Sequence, residues 1–331
     1  MPELPDIVVY IEALERRVVG ETVTGVRVVS PSVMRTYDPP YDAPVGREVT
    51  SLHRVGKRIV FGFTDEGEDS EGGRSPSTPP TNRGYGRQTG SRGGVGSAEH
   101  LFLAIHLMVA GRLRWEAPGK AIPRKVGLAA LDFEHGALIL TEQGTHKRAG
   151  IWVFGDWDGV AGLDRGGIEP LQATPEEFAR SLRAENRTLK RALTDPRIFS
   201  GIGNAYSDEI LWEARLSPVK RTSQLTDGEV GRLHRAVVGS LQRWTRNLRD
   251  EVGEGWPAKV TAFRDDMAVH GKFGEPCPRC GSKVQRIVYS ANETNYCATC
   301  QTEGKLLADR SLSRLLKDDW PKTLEELEES S

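Results

Sequence analysis

The sequence predicts an α+β multidomain protein: an N-terminal helix joined to a two-sheet antiparallel β-sandwich, then a helical domain, then a C-terminal cysteine module. Three observations predict it. Short runs with apolar alternation fill residues 22–154. Capping boxes and helical apolar spacing take over from Thr174 onward. All four cysteines fall between Cys277 and Cys300.

The first helix is expected from about Pro5 to Val19. Ile7, Val8, Ile11, Leu14 and Val18 recur at helical spacing, and Gly20 stops the run. Strands are expected at 22–30, 45–54, 57–64, 101–107, 112–116, 126–134, 137–141 and 150–154. Their number and spacing fit a two-sheet sandwich. Residues 65–99 interrupt it with Gly, Ser, Pro, Thr and Arg and almost no large apolar side chain, the composition of a disordered insertion.

The helical part has two clear starts. Thr174-Pro175-Glu176-Glu177 is a capping box with proline at the first helical position. Thr226-Asp227-Gly228-Glu229 opens a helix carrying Val230, Leu233, Val237, Leu241 and Trp244. Between them, helices near 188–193 and 205–214 flank a glycine turn. The expected divisions are 1–165, 166–255, 256–317 and an acidic, frayed tail at 318–331.

With 331 residues, 37% hydrophobic content and no apolar run of membrane-spanning length, the composition is that of a soluble protein. No basic segment followed by an apolar stretch marks a secretory signal, so a cytoplasmic, nucleoid-associated protein is expected. The net charge of −1 is unevenly spread. Residues 65–71 and 318–329 each carry −5, which leaves +9 on the remainder. A basic body suits a phosphate-tracking surface, although ordinary charge scatter gives the same count.

The cysteines form two knuckles, Cys277-Pro278-Arg279-Cys280 and Cys297-Ala298-Thr299-Cys300, sixteen residues apart. This spacing places four thiolates tetrahedrally around one Zn2+, with a hairpin between the knuckles. Four thiolates leave no open position, so the metal is structural.

Two weaker signals lie elsewhere. Gly201-Ile202-Gly203-Asn204 precedes a helix, where backbone N–H groups can approach a phosphate. Asn204 is placed either to donate to that phosphate or to cap the helix. Lys57 stands at a strand start in Arg54-Val55-Gly56-Lys57-Arg58, and Lys190 lies on the short helix before the glycine turn. Either lysine alone also reads as a solvated edge.

The chain opens Met1-Pro2-Glu3-Leu4-Pro5. A small second residue favours removal of the initiator methionine, which would expose a secondary amine next to a carboxylate. An α-amino group titrates near 8, about two units below lysine, so part of it is unprotonated at neutral pH. Such an amine can attack an aldehyde-like carbon and form an iminium ion, an electron sink for elimination.

Together, Pro2-Glu3, Lys57, the glycine turn and the cysteine knuckles resemble the formamidopyrimidine-DNA glycosylase / endonuclease VIII family. Met1-Pro2-Glu3-Leu4-Pro5 looks like the formamidopyrimidine branch. Gly167-Ile168-Glu169-Pro170-Leu171 resembles the entry to the helical domain, Gly201 to Leu211 the helix–two-turn–helix signature, and Gly274-Glu275-Pro276-Cys277 the zinc-finger entry. The resemblance covers nearly the whole chain except 65–99 and the tail.

It implies a bifunctional DNA glycosylase/AP lyase of base excision repair. The implied partner is double-stranded DNA with a damaged base or abasic site, bound by a monomer with no membrane contact. Carried over by position, Pro2 is the nucleophile, Glu3 the proton-transfer group, and Lys57 a phosphate contact that stabilises the reacting sugar. Lys190, Gly201, Gly203 and Asn204 face the DNA. β- and then δ-elimination would cut the strand.

Three departures stand out. Asn292 occupies the position of the usual zinc-finger arginine, with a repulsive Glu293 beside it. His106-Leu107-Met108-Val109 and Thr145-His146-Lys147-Arg148-Ala149-Gly150 replace the usual stack-filling runs, which leaves Met108, Val109 and Arg148 as candidates. Residues 250–275 do not resemble the lesion-capping loop, so 8-oxoguanine is not assumed. An AP lyase with little glycosylase activity and a non-enzymatic binder of damaged DNA are the alternatives.

Overall fold

The computed structural model describes residues 1–64, 101–144, 146–258, 260, 264–289, 292–307 and 322–329; the side chains of 289, 292 and 327–329 are outside this description. The insertion expected at 65–99 also lies outside the described residues.

Helix α1 (Leu4–Val18) is followed by strands β1 (Gly25–Val28), β2 (Val49–Val55), β3 (Arg58–Phe63), β4 (Leu101–His106), β5 (Gly111–Glu116), β6 (Gly127–Phe133), β7 (Gly136–Glu142) and β8 (Gly150–Phe154). They form two four-stranded antiparallel sheets, ordered β1-β6-β7-β5 and β2-β3-β4-β8. Alternation sets the faces. Ile59, Phe61 and Phe63 of β3 point into the core between the sheets, with Leu103 and Leu140. Val60 points the other way, where Phe102, Ala104 and Val160 of the short helix α2 (Trp157–Ala161) cover it. Each such apolar side chain is worth about 1.5–3 kcal/mol when fully buried.

The helical domain comprises α3 (Pro175–Arg183), α4 (Leu189–Thr194), α5 (Asn204–Ala214) and α6 (Asp227–Val252). Both expected capping boxes form, at Thr174/Glu177 and Thr226/Glu229. Helix α1 serves two cores at once. Ile7, Tyr10 and Leu14 pack into the sandwich, while Leu4 packs with Phe199, Ile202 and Tyr206 of the helical domain. The start of the chain is thereby held at the junction of the two domains.

After α6 the chain crosses back. Trp256 packs on Tyr10 and Trp115, lies beneath the Arg17 guanidinium, and donates Nε1–H to Leu113 O at 3.0 Å. The cysteine module then forms β9 (Val284–Tyr289), β10 (Asn292–Cys297) and the short helix α7 (Ala298–Thr302). The chain end differs from the expected frayed tail. Residues Leu324–Glu329 form α8, and Leu324 packs near Ile287, Tyr296 and Ala298. A short acidic segment has little helix stability alone; this contact with the hairpin supplies it. Among the described residues no helix is long and apolar enough to cross a membrane.

Candidate functional site

The first residues of the chain meet the glycine turn. Pro2 and Glu3 are buried. Leu4 N–H donates to Gly201 O at 2.9 Å. The Glu3 carboxylate receives Gly203 N–H at 2.6 Å and Ala205 N–H at 2.9 Å, at the N-terminus of α5. Unsatisfied N–H groups at a helix start attract an anion, and here a side-chain carboxylate supplies it.

Lys57 reaches the same place from the β2–β3 turn. A Cβ on Gly203 would stand 2.5 Å from Lys57 Nζ and 2.6 Å from Glu3 Oε1. A Cβ at 203 would therefore push aside the Lys57 ammonium and the Glu3 carboxylate. At Gly201 the demand is conformational as well, since its φ is +80°. Burial lowers the Lys57 ammonium pKa; Glu3 and Asp6 oppose this and Lys190 adds to it.

The α-amine of Met1 lies in the same field. Burial lowers its pKa, Glu3 raises it, and Arg112 and Lys57 lower it. Asp6 is buried one helical turn from Glu3 and accepts Glu3 N–H at 2.9 Å. Burial pushes the Asp6 carboxyl up to about 7. A cavity of about 320 Å³ opens beside it, lined among others by Leu248, Trp256, Val260 and Arg264.

Lys190 is not a free cation. Its Nζ donates to Asn204 O and to Asp208 Oδ1, each at 2.6 Å, and His270 Nδ1 lies 2.7 Å from the other Asp208 oxygen. Asp208 is fully buried. Asn204 does not cap α5, since the cap position is Gly203. Its Nδ2 instead donates to Glu293 O of the hairpin at 2.9 Å. Asn292 opens β10 beside this contact, but its side chain lies outside the described residues. Glu293, expected to repel phosphate, is offset by Arg286 Nη1 at 3.5 Å on the facing strand.

Glu3, Lys57, Lys190, Gly201, Gly203 and Asn204 thus converge, with the hairpin strand at their edge. Met108 and Arg148 lie just beyond the ends of paired strands β4 and β8. His106 of β4 pairs with Gly150 of β8, and each candidate lies two residues beyond the paired position. Met108 adopts a left-handed backbone, φ +53°, and its N–H donates to His106 Nδ1 at 2.9 Å. Val109 next to it is exposed, as is Arg148. Ala149 is buried in the sandwich core and supplies no wedge.

Several residues here escaped the sequence reading. Arg54 pairs with Glu169 and donates to Gly56 O, tying the lysine turn to the entry of the helical domain. Glu209 accepts the N–H groups of Ala268, Val269 and His270, fastening α5 to the segment before the cysteines. Arg112 holds the Val109 and Gly111 carbonyls and lies close enough to influence the chain start. The one local signal for Arg54 was its place in the Arg54–Arg58 basic cluster.

The four cysteine sulfurs lie within 4.8 Å of one another. A closed set of four thiolates, two of them fully or nearly buried, fits one tetrahedral structural zinc. Cys277, Cys280, Cys297 and Cys300 hold it, and the metal supplies folding energy to the hairpin.

The comparisons agree with this geometry. The chain matches the formamidopyrimidine-DNA glycosylase N-terminal domain over residues 1–147, its H2TH domain over 167–248, and the zinc finger found in FPG and IleRS over 274–302. It is 30% identical to formamidopyrimidine-DNA glycosylase of Chloroflexus aurantiacus, covering 91% of this chain and 98% of that one. The Corynebacterium aurimucosum enzyme of the same name is also 30% identical, over 92% and 97%. A crystal structure of Lactococcus lactis Fpg with DNA containing an oxidised pyrimidine superposes with a TM-score of 0.70, at 25% identity, over 91% of this chain and 100% of that one. The chain therefore belongs to the formamidopyrimidine-DNA glycosylase family, the DNA glycosylases of base excision repair.

Proposed function

We propose that this protein is a bifunctional DNA glycosylase/AP lyase acting on duplex DNA through the amine of Pro2, exposed by removal of Met1. The observation that carries the reading is the convergence of Glu3 and Lys57 on Gly203, beside the buried chain start. Burial of the chain start favours the unprotonated form of an amine there, as do Arg112 and Lys57, against the opposing charge of Glu3.

The chemistry follows from those groups. The Pro2 nitrogen attacks the sugar C1′, the bond from C1′ to the base breaks, and the base leaves with its electron pair and takes up a proton. Glu3, held by the backbone N–H groups of Gly203, Ala205 and Tyr206, passes a proton to the ring oxygen as the C1′–O4′ bond opens to the iminium ion. Loss of a C2′ proton then expels the 3′ phosphate, and a second elimination expels the 5′ phosphate. Lys57 balances the phosphate charge nearby. Asn204 keeps one N–H and its amide oxygen for the backbone, and Gly201 and Gly203 let it come close. Met108 and Arg148 fill the place of the nucleotide turned out of the stack.

Abasic DNA with little base excision is the second reading, and Trp256 favours it. The segment after α6 departs from the family's lesion-capping loop, and Trp256 ties it to Tyr10 and Trp115. Cleavage of a panel of duplexes separates the readings. The proposal expects excision of at least one oxidised purine or pyrimidine together with cleavage at abasic sites. Cleavage confined to abasic DNA would select the lyase, and binding with no cleavage would reject both.

A further inference from the structure

Helix α5 turns one face to the cysteine module. Asn204, Asp208 and Trp212 follow each other at four-residue spacing, and each makes a contact there. The third contact has no part in the chemistry above. Trp212 Nε1 lies 3.3 Å from Cys277 Sγ, and Cys277 is 2% exposed. The Arg279 guanidinium lies 3.9 Å over the Trp212 ring, and its Nη1 donates to Trp212 O at 2.8 Å. Trp212 packs there against Val269, Val284 and Cys297.

We propose that Trp212 is a positioning residue of the zinc centre, its indole N–H donating to the Cys277 thiolate. Indole nitrogen is a donor only, and a metal-bound thiolate is an acceptor. Four thiolates on one divalent cation leave two negative charges. A fixed N–H and a guanidinium stacked on the same indole offset part of that charge, so the Cys277 sulfur is held in place on the metal. The other end of α5 receives Glu3. The Cys277 contact at Trp212 thus lies along the same helix face as the Asn204 contact to the hairpin, roughly 13 Å along α5 from Gly203.

The test uses the full-length zinc-loaded protein. Trp212→Phe keeps an aromatic ring and removes the donor. Transfer of zinc to a coloured chelator, 4-(2-pyridylazo)resorcinol, should reflect an affinity lowered about tenfold or more, the usual cost of losing an outer partner of a metal ligand. Arg279→Gln should give a smaller change in the same direction. A second measurement needs no variant. In wild-type protein with 113Cd in place of zinc and 15N-labelled tryptophan, the indole proton with contacts to Cys277 should show scalar coupling to the metal. Ring packing alone gives no such coupling. Wild-type zinc release from folded Trp212→Phe, or an indole proton without coupling, overturns the assignment. If Trp212→Phe does not fold, the coupling decides alone.

Discussion

The Glu3 carboxylate accepts the backbone N–H of Gly203 at 2.6 Å across 200 residues of sequence. That bond places a buried carboxylate of the N-terminal domain at the first turn of α5. It also fixes how near the chain start comes to Lys57. The space there is filled, because a Cβ on Gly203 would touch both Lys57 Nζ and Glu3.

Gly203→Ala should therefore cost about 1–3 kcal/mol of stability, as overpacking does, and should reduce strand cleavage more than DNA binding. Urea unfolding and single-turnover cleavage of abasic duplex measure the two effects. Unchanged stability and cleavage together would show that Glu3 and Lys57 are not held against the turn.

Asp6 sets an unusual pH dependence. Its folded pKa of about 7 is above the unfolded value of 3.8. Between those values the unfolded chain has lost the proton and the folded chain retains it. This group therefore lowers stability as pH rises from about 4 to about 7, by up to roughly 4 kcal/mol, and has no further effect above. Asp6→Asn should remove that slope and leave the variant more stable than wild type at pH 8. Parallel slopes for the two proteins in denaturant titrations from pH 4 to 8 would refute it.

Asp208 holds Lys190 with one oxygen and His270 with the other, fully buried. Asp208→Asn should cost about 3–5 kcal/mol, because the Lys190 ammonium loses its counter-charge. Asp208→Asn with Lys190→Met should recover part of that loss, measured as a double-mutant cycle in unfolding free energy. Additive losses would mean the pair is not coupled.

Features carried by local spacing were legible in the sequence. Strand β3 shows its alternation in Ile59, Phe61 and Phe63; Thr174 and Thr226 announce their helices; the cysteine knuckles specify their metal. Resemblance brought Pro2, Glu3, Lys57 and the glycine turn together; in the fold Glu3 accepts from Gly203, where a Cβ would also meet Lys57. What stayed hidden depends on residues far apart. Nothing near Asp208 foretells His270, and nothing near Arg54 foretells Glu169. Trp256 reads as an ordinary loop residue until Tyr10 and Trp115 stand on either side of it. Met108's left-handed backbone comes from a turn closed by His106, a geometry no residue preference announces. Helix α8 is too short to be read alone and exists through Leu324 on the hairpin.

The central claim is that the amine of Pro2 forms the bond to DNA. Borohydride reduction during reaction with abasic duplex tests it most directly, with peptide mapping of the product. A covalent adduct on the N-terminal peptide beginning at Pro2, absent in Pro2→Gly, is the predicted result. An adduct mapped to Lys57, or none while the protein still binds the DNA, would contradict it.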